Sequence, residues 1–157
     1  MTALAQFTAR SLRTPSPVPF GAAIVNSRTG ETLYRGRNAV ARENDPSAHA
    51  ETRAMRKACR KLGRPSLKGY TLYTTCEPCP MCMANALWAG LDRVVFGATI
   101  ADANEHCRQI HISAQEVSRR SDMPCEVVGE IMREACRGLF NDPRMVKAFK
   151  AWGTRKP

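Results

Sequence analysis

Apolar positions along the chain fall into two kinds of spacing, and each change of spacing marks an element boundary. Phe20-Gly21-Ala22-Ala23-Ile24-Val25 is a compact apolar run of strand length. After the turn residues Asn26-Ser27-Arg28-Thr29-Gly30, the stretch Glu31 to Arg35 alternates polar with apolar, so the two segments predict a β-hairpin. Ahead of it, Leu4 to Leu12 predicts a short helix ended by Pro15, Pro17 and Pro19. Behind it, Gly36 to Asp45 reads as a polar loop carrying Asn38.

A helical period takes over at residues 47 to 62, opened by Pro46-Ser47 and closed by Gly63. Ala54, Met55, Ala58, Cys59 and Leu62 share one face, and Arg53, Arg56, Lys57 and Arg60 the opposite one. Glu51 falls in the middle of the apolar face, where a carboxylate costs free energy unless it has a partner or a task. Gly69 to Thr75 reads as a buried strand, Pro80 to Ala89 as a helix ended by Gly90, and Leu91 to Ala98 as a further strand. Beyond residue 99 the pattern predicts a short strand at Gln109 to Ile112, a helical turn or two at Ala114 to Arg120 and a strand at Pro124 to Val128. Helices are expected over Gly129 to Phe140 and Pro143 to Trp152. Alternating strands and helices from residue 69 onward call for right-handed crossovers and partly parallel pairing. The expected fold class is α/β, a three-layer α/β/α sandwich. One domain is expected over residues 1–157, with a C-terminal helical segment from about residue 129.

Composition narrows the class. With 43% hydrophobic residues and ten each of Gly and Pro, the chain reads as globular rather than disordered or fibrous. No apolar run approaches the ~20 residues a membrane span needs, and no basic-then-apolar leader opens the chain, so the expected compartment is the cytoplasm. Seven cysteines, three of them clustered at Cys76, Cys79 and Cys82, argue for thiolate chemistry in a reducing compartment rather than a disulfide scaffold. Cys59, Cys107, Cys125 and Cys136 read as small buried hydrophobes. The net charge of +10 is uneven, with +9 in residues 1 to 70 and +1 in the remainder. A basic half suits a polyanion such as RNA, and equally a solvated helix face that attracts small anionic metabolites.

The candidate chemistry lies in Thr75-Cys76-Glu77-Pro78-Cys79-Pro80-Met81-Cys82 together with His49-Ala50-Glu51. Cys79 and Cys82 are i and i+3 at the first turn of a helix, so their sulfurs project from one side, where unpaired N–H groups favour thiolates. His49 opens the other helix. Three protein ligands leave the fourth tetrahedral position of a zinc ion open, as in catalytic sites. Two other arrangements use the same cysteines: an iron–sulfur cluster on Cys76, Cys79 and Cys82, and a closed structural zinc site on His49, Cys76, Cys79 and Cys82.

The order His-x-Glu followed by Pro-Cys-x-x-Cys matches the signature of zinc nucleobase deaminases. Asp45-Pro46-Ser47-Ala48-His49-Ala50-Glu51 with Cys76-Glu77-Pro78-Cys79-Pro80-Met81-Cys82 resembles the cytidine deaminase-like superfamily, and within it the bacterial guanine deaminases and tRNA adenosine deaminases. The resemblance runs from about Pro19 to Ala103. It implies a mixed five-stranded sheet and a homodimer with one Zn²⁺ per subunit, held by His49, Cys79 and Cys82. It further implies hydrolytic deamination of a small nucleobase or nucleoside, with Glu51 as the proton-transferring catalytic residue. Asn38 and the Ala50 backbone would bind substrate, Phe20 would stack on the ring, and Trp88 matches a tryptophan of the guanine deaminases. Guanine is the first expectation for substrate. A tRNA adenosine, a cytosine-type base and an amino-triazine are the alternatives, and a zinc-stabilised interaction module is the non-enzymatic one. Around Gln109 and Ile110 the chain lacks the aspartate pair of guanine deaminases, and Lys156-Pro157 replaces their terminal tyrosine. Glu105, His106, Gln109 and His111 are therefore candidates for reading a different ring. His106 and His111 otherwise read as surface or satisfied groups.

Overall fold

The computed structural model describes residues 1–153. The Lys156-Pro157 end singled out above lies outside these described residues. Five strands form one sheet: β1 (Gly21–Asn26), β2 (Thr32–Arg37), β3 (Tyr70–Cys76), β4 (Arg93–Ala98) and β5 (Glu126–Val128). Their order is β2-β1-β3-β4-β5. The hairpin β1/β2 and the pair β1/β3 are antiparallel, while β3/β4 and β4/β5 are parallel. The sheet is therefore mixed, as expected.

The helices are α1 (Thr2–Ala9), α2 (Val40–Glu43), α3 (Ala50–Leu62), α4 (Pro80–Trp88), α5 (Ile100–Asn104), α6 (Ala114–Arg119), α7 (Arg133–Asn141) and α8 (Pro143–Gly153). A 3₁₀ turn, Arg10–Arg13, continues α1. Two apolar clusters show the layering. Ala22, Ile24, Leu72 and Val94 of the sheet pack with Ala54, Met55 and Ala58 of α3 and with Met83, Ala86 and Leu87 of α4. A second cluster joins Cys76 and Ala98 at the strand ends to Leu12, Cys136, Leu139, Phe140, Met145 and Phe149. Burying side chains on both sheet faces explains the near-continuous apolar runs of the inner strands.

Several boundaries differ from the sequence expectation. The helix expected over residues 47–62 begins at Ala50, because Asp45 Oδ1 captures both the N–H and the hydroxyl of Ser47, at 2.8 and 2.7 Å. The polar loop expected from Gly36 to Asp45 contains the end of β2 and the single turn α2. Gln109 to Ile112 is not a strand, because the sheet edge beside β4 is taken by β5. The helix expected from Gly129 begins at Arg133, since Glu130 and Met132 adopt positive φ values of 63° and 59°. Of the four cysteines expected to be buried, Cys136 is, whereas Cys59, Cys107 and Cys125 are half-buried. Arg53, expected on a solvated face, has a side chain only 16% exposed and pairs with Glu43 at 3.0 Å.

At Gly97 of β4, α7 packs tightly on the sheet through Cys136. A Cβ there would lie 2.6 Å from Cys136 Cβ and closer still to its sulfur. Gly97→Ala is expected to lower the unfolding free energy by about 1–3 kcal/mol, since the helix has to shift or the side chain leave its rotamer. The measurement is the urea midpoint at unchanged slope, and an unaltered midpoint would show that the close approach carries no such constraint.

Candidate metal centre and active site

Two helix beginnings meet at the end of β3. His49 is the residue before the first turn of α3, with φ −64° and ψ 154°, and Cys79 stands in the same place on α4, with φ −63° and ψ 164°. Pro80 opens α4, a position that suits its fixed φ and missing N–H, and Cys82 follows one turn after Cys79. α3 and α4 pack against each other, so imidazole and thiols converge. His49 Nδ1 lies 3.6 Å from Cys79 Sγ and 3.5 Å from Cys82 Sγ. All three ligand atoms fall within 4.8 Å of one another. Ligands at about 2.0–2.1 Å (N) and about 2.3 Å (S) from a tetrahedral zinc stand roughly 3.6 Å apart, so the donor set and its spacing fit that ion.

The titration behaviour of the three groups points the same way. The Cys79 thiol is pushed down to about 4, first by its hydrogen bond with Cys82 and also by His49, against the effect of burial. Cys82 moves up through that same pairing and through burial. His49 is raised by Cys79. Cysteine ligates zinc as the thiolate, so surroundings that lower the Cys79 thiol suit a divalent ion.

Glu51 is not among the converging ligand atoms. It is 6% exposed, on the first turn of α3, and shares a cavity wall with His49 and Cys79. Burial raises its carboxyl to about 7, with His49 acting in the opposite direction. An acid near neutrality that does not ligate the metal suits proton transfer. Cys76 also stays outside the ligand group, with its thiol 3.7 Å from the Thr99 carbonyl and pushed up chiefly by burial. The geometry therefore disfavours both the closed four-ligand site and the three-cysteine cluster.

The cavity is about 340 Å³ and is walled by Phe20, Asn38, Cys76, Glu77 and the segment Cys107–Ile110 as well as by His49, Glu51 and Cys79. Asn38 is fixed from both sides. Its N–H donates to the Phe20 carbonyl at 3.1 Å, and its Oδ1 accepts from Val40 N–H at 3.1 Å, which leaves the amide NH₂ for a ligand. Arg53 holds the preceding residue by donating to the Arg37 carbonyl at 2.7 Å. Phe20 meets Phe140 edge to face at 5.2 Å. Ala50, the first residue of α3, is fully buried in the first apolar cluster, and its side chain is not part of the wall. Trp88 is not brought to the cavity within this chain: it is 79% exposed at the far end of α4.

Of the four candidates for reading the ring, Gln109 alone lines the cavity. Glu105 is engaged by Arg137 at 3.2 Å, His106 by Asn141 at 2.8 Å, and His111 is exposed. Sequence reasoning passed over Glu77 and Arg108. Glu77 stood inside the metal motif, and a carboxylate two residues before the ligand Cys79 was the available signal.

An open three-ligand site with a buried carboxylate that does not ligate, on a mixed sheet flanked by helices, defines the zinc-dependent deaminase class of fold and site. The description "cytidine and deoxycytidylate deaminase zinc-binding region" matches residues 1–98, and the chain belongs to that family. It is 48% identical to the guanine deaminase of Bacillus subtilis over 87 residues, 55% of this chain and 54% of that protein. It is 36% identical to the tRNA-specific adenosine deaminase of the same organism over 124 residues, 79% of this chain and 74% of that protein. The first of these matches therefore spans about half the length of the relative. A solved guanine deaminase from Nitrosomonas europaea has the same fold, with a TM-score of 0.74 at 22% identity over 96% of this chain and 82% of that one.

The ligand assignment is expected to separate the cysteines cleanly. Cys82→Ala should lose bound zinc, whereas Cys76→Ala should keep one zinc per chain, as measured by elemental analysis after dialysis. Loss of zinc from Cys76→Ala would reinstate the closed site.

Proposed function

We propose that the protein is a hydrolytic deaminase of a free nucleobase or nucleoside, with guanine the first substrate to test. The single observation that carries this reading is the pairing of an open three-ligand site with Glu51, buried beside the ligands and near neutral in pKa. A zinc ion held by His49, Cys79 and Cys82 supplies the Lewis acidity that makes water a nucleophile near neutral pH. Glu51 takes a proton from the attacking water and passes it to the ring nitrogen beside the amine-bearing carbon. It then takes the second proton, from the hydroxyl now on the tetrahedral carbon, and delivers it to the amine, so that the C–N bond breaks, the carbonyl forms and ammonia leaves. The Asn38 NH₂ donates to the ring, and Phe20, braced by Phe140, packs against its face. The similarity to the guanine deaminase of Bacillus subtilis supports guanine.

Deamination of adenosine in tRNA is a second reading, supported by the longer match to the tRNA-specific relative. It predicts RNA affinity that falls steeply with salt. The protein is proposed to act in the cytoplasm, consistent with its seven free cysteines, and among the described residues no helix is long and apolar enough to cross a membrane. A homodimer is part of the same proposal. The exposed Trp88, at 79%, with Met81 and Ile112 nearby on the wall of the same surface grooves, provides an apolar face for it.

Zinc-loaded protein is expected to release ammonia from guanine in a screen that includes cytosine, adenine, their nucleosides and amino-triazines. Glu51→Gln should lower kcat/KM by roughly 10²- to 10⁴-fold with zinc still bound. Retained turnover in that variant would remove Glu51 from the proton path, and activity on none of the small substrates would favour RNA.

A further inference from the structure

The segment 105–113 carries the cavity wall Cys107–Ile110 and belongs to no strand or helix. Its two ends are α5 and α6, and both are fastened to the same side chain. Glu77, 9% exposed, accepts from Ile100 N–H through Oε2 at 3.0 Å and from Ala114 N–H through Oε1 at 2.9 Å. Ile100 and Ala114 are the first residues of α5 and α6, whose opening N–H groups have no partner within their own helices. The Glu77 backbone is itself fixed, donating to the Ala98 carbonyl at 2.7 Å. Two residues further along the chain is the ligand Cys79.

We propose that Glu77 is a positioning residue that sets the base-contacting wall, Gln109 above all, at a fixed distance from the metal ligands. The proposal rests on reading the cavity as the base-binding site. A carboxylate is the side chain that can do this, because it offers an acceptor oxygen to each of the two N–H groups, and hydrogen bonds to an ionised group in a buried site are the strong kind. The carboxamide of glutamine would accept from one N–H and turn its own NH₂ toward the other. The wall has a second fixture on the α5 side, where Asp102 accepts from Arg133 at 2.9 Å through each oxygen. On the α6 side Glu77 ties Ala114 to the metal-ligand turn, beside the local cap in which Ser113 Oγ accepts from Glu116 N–H at 3.1 Å. The expected consequence of losing it is a displaced Gln109 and a looser fit for the base, with the metal ligands unmoved, since misplacement by about 1 Å is enough to cost 10²-fold in a positioned reaction.

The test is a cycle on the full-length zinc protein with Glu77→Gln, Ala114→Pro and the double variant. Ala114→Pro removes the same hydrogen bond from its other side. Proline is tolerated at a first helical position, and the extended Ser113 before it, φ −70° and ψ 154°, suits a following proline. Each single variant is expected to keep one zinc per chain and to raise KM for the substrate at least tenfold with a smaller change in kcat. Amide hydrogen exchange in 105–113 should speed up at least tenfold while that of α3 and α4 is unchanged. The double variant should be no worse than the poorer single one, because both substitutions remove one interaction. The proposal is overturned by additive effects, by exchange that rises evenly across the chain, or by loss of zinc in Glu77→Gln. The exchange and zinc measurements need no turnover, so they decide the role of Glu77 even if the parent protein deaminates nothing, an outcome that would instead count against the base-binding reading itself.

Discussion

Two cysteine sulfurs held 3.6 and 3.5 Å from one imidazole nitrogen form a corner whose spacing and donor set suit a bound cation. Everything else near the site serves to make that corner unavoidable. The parallel pairing of β3 with β4 delivers the chain to the sheet end at Cys76. Pro80 then starts α4 at once, so Cys79 and Cys82 come out one turn apart. Packing α3 on α4 through Met55, Ala58, Met83 and Ala86 brings His49 to the same point. The apolar core thus sets the ligand spacing, and the ligands in turn put a divalent charge beside a buried acid.

The site was more legible in the sequence than the surroundings that select a substrate. Ligand placement follows from local rules, a proline at the first helical position and an i, i+3 pair, and these survive any detail of the remote fold. The start of α3 was misread because Ser47 has the chemistry of a helix cap, yet Asp45 claims it through a turn of its own. The alternation of Gln109, Ile110, His111 and Ile112 imitates a strand, but a strand also needs a free sheet edge, and β5 occupies that edge. Such competition is between segments far apart in sequence, and no local pattern records it. The same holds for Glu77, whose partners lie 23 and 37 residues away.

The basic character of the chain also changes meaning in three dimensions. Arg53 holds Glu43 and the Arg37 carbonyl next to Asn38, and Arg37 itself lies over the Phe7 ring. Arg133 and Arg137 converge on the buried Asp102, which the Arg133 guanidinium holds well below the usual carboxylate range. Several arginines are therefore tied to the fold's own carboxylates and carbonyls, Arg53 the least exposed of them. Arg108, in contrast, is exposed at the rim of the cavity, where its charge can meet a substrate as it enters.

Zinc-edge X-ray absorption on the zinc-loaded protein examines the vacancy in the coordination sphere directly. Two sulfur scatterers at about 2.3 Å and two nitrogen or oxygen scatterers at about 2.0–2.1 Å are predicted, one imidazole and one solvent oxygen. Three sulfur scatterers, or a second imidazole in place of the solvent oxygen, would close the site to water and contradict the account.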